Sequence, residues 1–450
     1  MSPSDTIVAP ATASGEAALA VVRVSGPLVP QLVGGIFGRP PPPRRATLGA
    51  YTTRAGRILD TVVYVLYPDQ RSYTGETVLE LSPHGNPWLV RKILDDLLER
   101  GCRLAGPGEF TRRAFLNGKL DLSQAEAVVQ LIRARSDRAL EAARRQLAGS
   151  VGEAVNQLVD RLLRITANLE AYIDFPEEDL PPEDHEGPAA DLKSLSAEME
   201  HLIATRKYSS LLHDGVKCVI LGEPNVGKSS LLNALTGEDR VIVSAEPGTT
   251  RDYVEERIHV GPYLLRVIDT AGLHEAASAL EQQGIHRSLQ QIESADLLLV
   301  VLDSTRPPPA LPDAVVHALH ARNTVVVENK TDLAVREDLP AFAPECPHVR
   351  ISAAAHAGLE DLRGAIRRVL EEGLVVPDEN AVIVCARHAG SLQSARDCLA
   401  GALDKLRNAE APELVASDLH AAIDAMGEIT GKIDNEAVLD RLFGAFCIGK

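Results

Sequence analysis

Residues 222–229 read Gly-Glu-Pro-Asn-Val-Gly-Lys-Ser, a complete G-x-x-x-x-G-K-[ST] phosphate loop. Before it, Val219-Ile220-Leu221 is an apolar run that reads as a buried strand. After it, Ser230-Leu231-Leu232-Asn233-Ala234-Leu235 reads as the opening of a helix. That strand–loop–helix order gives the pattern a mechanism. Gly222 and Gly227 let the backbone bend until its N–H groups and the helix N-terminus face an anion. Lys228 then reaches the β- and γ-phosphates, and the Ser229 hydroxyl ligates magnesium. Asn225, Val226 and Ser230 belong to the same phosphate-facing stretch.

Later motifs decide which nucleotide. Leu264-Leu265-Arg266-Val267-Ile268 reads as a strand that ends in Asp269-Thr270-Ala271-Gly272. Asp269 can hold magnesium through water, and the Gly272 N–H can sense the γ-phosphate. Thr324-Val325-Val326-Val327 is another strand and runs into Asn329-Lys330-Thr331-Asp332, the N-K-x-D pattern of GTPases. A carboxylate at Asp332 accepts from N1–H and the exocyclic amine of guanine; adenine offers no such edge, and an unpaired buried acceptor is costly. Arg350-Ile351-Ser352-Ala353 supplies the last element, with the Ser352 and Ala353 backbone near the guanine O6. Between these motifs, Ser244-Ala245-Glu246-Pro247-Gly248-Thr249-Thr250 reads as a switch loop that orders over triphosphate, with Thr250 the second hydroxyl on magnesium. Leu273 stands where many regulatory GTPases place a water-orienting glutamine. An aliphatic side chain cannot do that work. Glu281 is the candidate replacement; the alternative is a solvated helix charge.

The rest of the chain bounds the class. With 450 residues, two to four domains are expected. At 45% hydrophobic and 24% charged residues the chain is globular. It has no long apolar run and no leader, so a soluble, cytoplasmic protein with no membrane association is expected. Six scattered cysteines without a C-x-x-C pair fit reduced thiols and give no zinc framework. A net charge of −17 argues against a generic nucleic-acid coat, since nonspecific binding is built on Lys and Arg.

The expected fold is multidomain. Residues 1–118 form an α+β domain, with β-branched runs at Ala20–Val24 and Thr61–Tyr67 and an amphipathic helix from Trp88 to Glu99. Residues 119–214 are the first half of an all-helical domain. It includes one helix from Ser123 to Leu147 and a Pro-punctuated bend from Asp174 to Pro188. Residues 215–375 are an inserted α/β, Ras-like GTPase domain, and residues 376–450 the second helical half. Arg133, Arg135, Arg138, Arg144 and Arg145 are either a solvated helix face or a tRNA contact.

The chain resembles the MnmE (TrmE) family of tRNA-modification GTPases, and not only in its GTPase motifs. The likeness begins at Asp5-Thr6-Ile7-Val8-Ala9 and Arg23-Val24-Ser25-Gly26. It continues through Ser72-Tyr73-Thr74-Gly75-Glu76, Glu80-Leu81, His84-Gly85 and Pro107-Gly108-Glu109-Phe110-Thr111. Arg113-Ala114-Phe115-Leu116-Asn117 and Lys119-Leu120-Asp121-Leu122 follow. Ile173-Asp174-Phe175-Pro176-Glu177-Glu178 and the terminal Phe446-Cys447-Ile448-Gly449-Lys450 complete it.

The resemblance implies a folate pocket for a formyl- or methylene-tetrahydrofolate, contacted by Arg23, Glu80, Lys119 and Lys450. It implies a potassium ion held by Asn225, Ser244 and Glu246, with Thr249 near it. It implies Glu281 as the catalytic glutamate. The implied partners are tRNA, the flavin-dependent MnmG and a second copy of the chain joined through the amino-terminal domain. Cys447 is either a reactive thiol or a buried small hydrophobe. His274 and Glu223 depart from the family pattern, which usually places arginine or a basic residue there. The rival is a regulatory or assembly GTPase that binds RNA and only hydrolyses GTP. Residues 1–118 and the Cys447 terminus match the modification family and not assembly factors.

Overall fold

The computed structural model describes residues 5–174, 186–239, 255–269, 290–309, 313–333, 342–373, 381–408, 410–432, 436–444 and 446–449. Contacts divide the chain into two units: 1–129 with 145–197 and 391–450, and 130–144 with 198–390.

The first unit opens with eight strands: β1 (Ile7–Pro10), β2 (Ala17–Leu19), β3 (Val22–Ser25), β4 (Thr47–Thr52), β5 (Ile58–Tyr67), β6 (Val78–Ser82), β7 (His84–Gly85) and β8 (Arg103–Leu104). Six form a sheet in the order β4-β5-β6-β3-β1-β8, while β2 and β7 make a separate ribbon. Pairing is antiparallel except between β1 and β8. In β5, Val62 and Tyr64 point into the core and their neighbours Thr61 and Val63 are exposed, the period of two that a one-faced strand requires. Helices Val29–Phe37 and Pro87–Glu99 share that core through Val33, Ile36, Ile93 and Leu97. The second helix starts where the sequence says it should. Pro87 occupies its first turn, and Asn86 Oδ1 accepts from Trp88 N and Leu89 N.

Helices Ser150–Asp174 and Pro412–Thr430 of this unit lie along each other. His420 Nε2 stands 3.4 Å from Glu170, and Lys432 Nζ donates to Asn156 at 2.9 Å. The single helix expected over 123–147 is two, Leu122–Arg133 and Asp137–Leu147. The first ends at Arg133, and Ser136 caps the second, its Oγ accepting from Ala139 N at 3.2 Å. The five arginines are therefore not one face. Within the second unit, Arg138 lies over the Tyr263 ring at 5.4 Å and donates to the hydroxyls of Tyr208 and Tyr263. Arg144 pairs with Glu141 at the surface.

The second unit holds a six-stranded sheet, β9 (Val216–Leu221), β10 (Glu255–Val260), β11 (Tyr263–Asp269), β12 (Leu297–Asp303), β13 (Thr324–Asn329) and β14 (His348–Arg350), in the order β10-β11-β9-β12-β13-β14. All pairs are parallel except β10–β11. A parallel sheet covered on both faces needs strands that are apolar throughout, and every residue of β12 is buried. Alternate residues feed two cores. Cys218, Ile220, Leu299 and Val327 face helices Lys228–Asp239 and Leu359–Gly373; Val219, Leu298, Val300 and Val326 pack on Ile292, Val315 and Leu319. The chain steps from β9 to β11 on one side and then to β12 on the other. The reversal therefore falls at the end of β9, where open α/β sheets place their ligands.

Candidate functional site

The phosphate loop leaves β9 at that reversal point. Gly222 has φ +153°, and a Cβ there would meet the Val301 carbonyl at 2.5 Å. Gly227 has φ +99°, and a Cβ would strike the Asn329 side-chain amide. Both glycines are thus fixed by close approach as well as by backbone conformation. Between them Val226 is 5% exposed and anchors the loop tip in the core. Asn225 is exposed with φ +66°, a left-handed conformation that asparagine tolerates better than most side chains. Helix Lys228–Asp239 begins at once, Leu231 N donating to Gly227 O at 2.8 Å. Lys228 is buried, and its Nζ donates to the carbonyls of Gly222 (2.9 Å) and Glu223 (2.8 Å). Its ammonium therefore spans the mouth of the loop. Ser229 and Ser230 are exposed on the first turn.

Asn329 ties this loop to the base-reading segments. Its Nδ2 donates to Val226 O at 2.8 Å, and its Oδ1 accepts from Ala353 N at 3.0 Å. Asp332 is exposed, and its Oδ1 accepts from the Ser352 hydroxyl at 2.5 Å. Ser352 Oγ also accepts from Ala355 N at 3.1 Å. Thus Asn225, Val226, Gly227, Lys228, Asn329, Lys330, Asp332, Ser352 and Ala353 meet at the carboxyl edge of one sheet. Asp269 closes β11 at that edge, opposite Ile220 of β9. Residues 244–250, 270–272, Glu281 and Lys450 lie outside the described residues, as do Leu273 and His274.

Sequence reading missed β12 and what ends it. Asp303 is buried; its Oδ2 receives Lys330 Nζ at 2.7 Å, and its Oδ1 accepts from Thr305 N and Oγ1. Burial pushes the Asp303 carboxyl up, but the Lys330 ammonium and the Thr305 donors outweigh it and hold the group below the usual carboxylate range. The apolar run Leu297–Leu302 ending in Asp-Ser-Thr was the available signal.

In the first unit, Arg23 and Glu80 are register partners on β3 and β6. The Arg23 guanidinium meets Glu80 Oε1 at 2.9 Å and 2.8 Å, and lies within 5.5 Å of the Tyr73 ring centre and 5.7 Å of that of Phe110. The two residues share one place on the sheet. Lys119 follows helix Glu109–Leu116, its N–H donating to Ala114 O.

The motifs around them hold each other. Arg113 is 9% exposed and donates to Asp5, Glu76 and Glu109; Arg103 joins through Asp5 and Glu109. Burial pushes the Glu109 carboxyl up, yet Arg103, the Gly106 N–H and Arg113 together keep it below the ordinary range. Ser25 donates to Glu76 and shares a hydrogen bond with Thr74; Tyr73 shares one with Thr111.

The terminal segment docks on the same motifs. Phe446 is buried beside Phe443, Ile448 bridges to Pro107, and Gly108 N donates to Cys447 O at 3.3 Å. Cys447 is exposed, which corrects the buried alternative. Cys102, Cys218 and Cys346 are the buried thiols, and burial pushes Cys102 up to about 11.

A phosphate loop, a hydroxyl on the first helical turn and an Asn-Lys-x-Asp segment gathered at one sheet edge define a GTPase. A sequence profile described as "GTP-binding protein TrmE N-terminus" matches residues 6–119, and one described as "MnmE helical domain" matches residues 122–447. Opitutus terrae has a protein named tRNA modification GTPase MnmE that is 52% identical over 447 residues, 99% of each chain. The Akkermansia muciniphila protein of that name is 41% identical, covering 100% of this chain and 99% of its own. Among solved structures, the G domain of the T. maritima FeoB iron transporter is 27% identical over 34% of this chain and 98% of that one, with a TM-score of 0.25. The chain belongs to the MnmE family. Among the described residues no helix is long and apolar enough to cross a membrane.

Proposed function

We propose that this chain is a GTP-hydrolysing tRNA-modification protein. With a flavin-dependent partner, MnmG, it would attach an aminomethyl or carboxymethylaminomethyl group to carbon 5 of the wobble uridine in certain tRNAs. The observation that carries this reading is the 52% identity to a named tRNA modification GTPase over 99% of both chains, which extends the likeness far beyond the GTPase motifs. In this reading residues 1–118, 119–214, 215–375 and 376–450 are the folate-binding, first helical, GTPase and second helical parts. The amino-terminal parts pair two copies in the cytoplasm.

The residues present suit the groups this reading needs. Ser229, exposed on the first helical turn, offers a neutral hydroxyl oxygen, the hard donor that magnesium takes, with Thr250 as the second. Magnesium supplies charge neutralisation on the β- and γ-oxygens. Asn225 presents its amide at the loop surface, a donor for potassium together with Ser244, Glu246 and Thr249. Arg23 and Glu80, backed by Tyr73 and Phe110, give a pterin edge a carboxylate, a planar cation and aromatic faces. Lys119 and Lys450 would serve the glutamate tail. Lys228 binds and orients the phosphates, Asp332 selects guanine, and Glu281 positions the attacking water. Hydrolysis does none of the carbon chemistry; it drives the conformational cycle that the modification requires.

The test is nucleoside analysis of tRNA from cells lacking the protein. The modified wobble uridine should disappear, and normal wobble uridines there would overturn the proposal. Hydrolysis should run faster in potassium than in sodium, and Asn225→Ala should erase the difference while leaving GDP binding near wild type. Equal wild-type rates in both salts would remove the ion from the mechanism.

A further inference from the structure

The chain carries 63 acidic residues against 46 basic ones, yet residues 17–59 hold six arginines and no acidic side chain. Arg23 is engaged with Glu80. The other five, Arg39, Arg44, Arg45, Arg54 and Arg57, are all exposed. Four of them flank one hairpin, β4–β5, whose first strand lies at the edge of the first unit's sheet. Arg44 and Arg45 lead into β4, and Arg54 and Arg57 lie in the turn that leaves it. The six residues of β4 span about 20 Å, a length over which a nucleic-acid strand presents several phosphates.

The backbone that carries these arginines is fixed. Arg44 has φ +58°, and its N–H donates to Leu66 O at 2.8 Å. In the turn, Thr53 N donates to Arg57 O at 2.9 Å, and Arg57 N to the Thr53 hydroxyl at 3.0 Å. Arg54 N donates to the buried Asp96 carboxylate at 2.8 Å. Among the described residues none of the five forms an ion pair, and only the Arg54 guanidinium is hydrogen-bonded, to the Glu99 carbonyl. Like charges gathered on one surface repel, and the field they sum to draws anions. Between the two arginine pairs the hairpin shows Leu48 and its cross-strand partner Val63, 70% and 38% exposed. Val65, two residues on, is the register partner of Glu80, and Glu80 that of Arg23. One sheet face therefore runs from the hairpin to the Arg23–Glu80 pair.

We propose that the arginine-flanked β4–β5 hairpin is a docking surface for the phosphate backbone of tRNA, beside the Arg23–Glu80 pair. The inference rests on the tRNA-modification reading above. It reconciles a polyanionic substrate with a net charge of −17, because acid is kept off one surface while the chain as a whole stays acidic. Phosphate contacts position a nucleic acid and carry no sequence information, so the choice among tRNAs lies elsewhere.

The test is equilibrium binding of an in vitro tRNA transcript to the full chain across a salt series. One variant changes Arg44, Arg45, Arg54 and Arg57 to Gln, and a second changes the same four to Lys. A control changes Arg206, Lys207, Arg367 and Arg368, exposed cations of the second unit, to Gln. Each lost phosphate contact lowers the slope of log affinity against log salt by about 0.7–0.9. The first variant should therefore lose roughly 3 from the slope and at least about tenfold in affinity near physiological salt. The lysine variant should stay within about twofold of wild type, since lysine meets phosphate as a point charge. The control, with the same change in net charge, should keep the wild-type slope. A wild-type slope in the glutamine variant would overturn the proposal, as would an equal loss in the lysine variant or the control. A glutamine variant that keeps its tRNA but changes its sedimentation would give the hairpin to a second copy of this chain, and the proposal would fall. Should the fourfold variant not fold, Arg54→Gln with Arg57→Gln must still lose roughly half as much slope; an unchanged slope there overturns the proposal equally. In each of these failures wild type still binds tRNA and the modification reading stands. Normal wobble uridines in cells lacking the protein would remove that reading itself.

Discussion

The two six-stranded sheets put similar polar motifs to opposite use. In the amino-terminal sheet domain, Glu76, Glu109 and Arg113 turn inward and satisfy one another, with Asp5 and Arg103 closing the network. In the second unit, Ser229 and Asp332 stay exposed at the carboxyl edge of a parallel sheet, and the buried polar groups Asn329 and Lys228 serve to hold the loops that carry them. Polar residues that face each other make a scaffold, whereas polar residues braced from behind and open in front make a site. Topology explains the difference. The network of the first unit joins one helix (Glu109–Leu116) to the segment before β1, the segment before β6 and the edge strand β8, whereas the parallel sheet brings its strand ends to one edge.

The contrast breaks most sharply on stability. Arg113→Ala removes one cation from three buried or half-buried carboxylates and should cost about 3–5 kcal/mol, as removal of one partner of a buried pair does. GDP affinity should move little. Chemical denaturation followed beside GDP titration checks this; an Arg113→Ala chain as stable as wild type would make the network ornamental.

Lys228→Ala should do the reverse, weakening GTP binding by roughly 100-fold or more at a smaller cost in stability than Arg113→Ala, since it removes a charge-assisted contact to phosphate and two hydrogen bonds to the loop carbonyls. Calorimetric titration reads the loss.

A smaller effect follows from acid. The Glu109 carboxyl is held below its ordinary 4.5 in the fold, so its contribution is complete above that value and is lost as the pH falls through the depressed folded value. Wild type should therefore lose stability on acidification below about pH 4.5, and Glu109→Gln, less stable at neutral pH, should show a flatter acid limb. Parallel acid limbs in the two proteins would remove Glu109 from the linkage.

The smallest change is expected from Arg23→Lys. It keeps the charge beside Glu80 but gives up the planar fork and its packing over Tyr73 and Phe110. Folate affinity should drop about tenfold with stability held, the scale of one hydrogen bond to a charged group. An unchanged affinity would separate the pair from the folate reading.

Much of the second unit was legible because its chemistry is local. The phosphate loop lies within eight residues of a strand–loop–helix, and the Asp-Thr-Ala-Gly and Asn-Lys-x-Asp motifs each begin at a strand end that an apolar run announces. Asp303 escaped because its partner, Lys330, is 27 residues away and only strand pairing joins them. The break at 134–136 escaped because Ala, Leu and Arg keep a helical rhythm straight through it; the one local signal was Ser136, whose hydroxyl caps the second helix. In the first unit the motif residues were recognisable, but their roles were not. The Arg113–Asp5 contact spans 108 residues, and no local pattern says whether a Glu turns toward a ligand or toward an arginine.

The most direct measurement is a pair of titrations, GDP and xanthosine diphosphate, on wild type and Asp332→Asn. Guanine presents donors to the Asp332 carboxylate; xanthine replaces the exocyclic amine with a carbonyl that an asparagine amide can meet. Wild type should prefer GDP, and Asp332→Asn should reverse the preference. An Asp332→Asn chain that still binds GDP as tightly as wild type would contradict it.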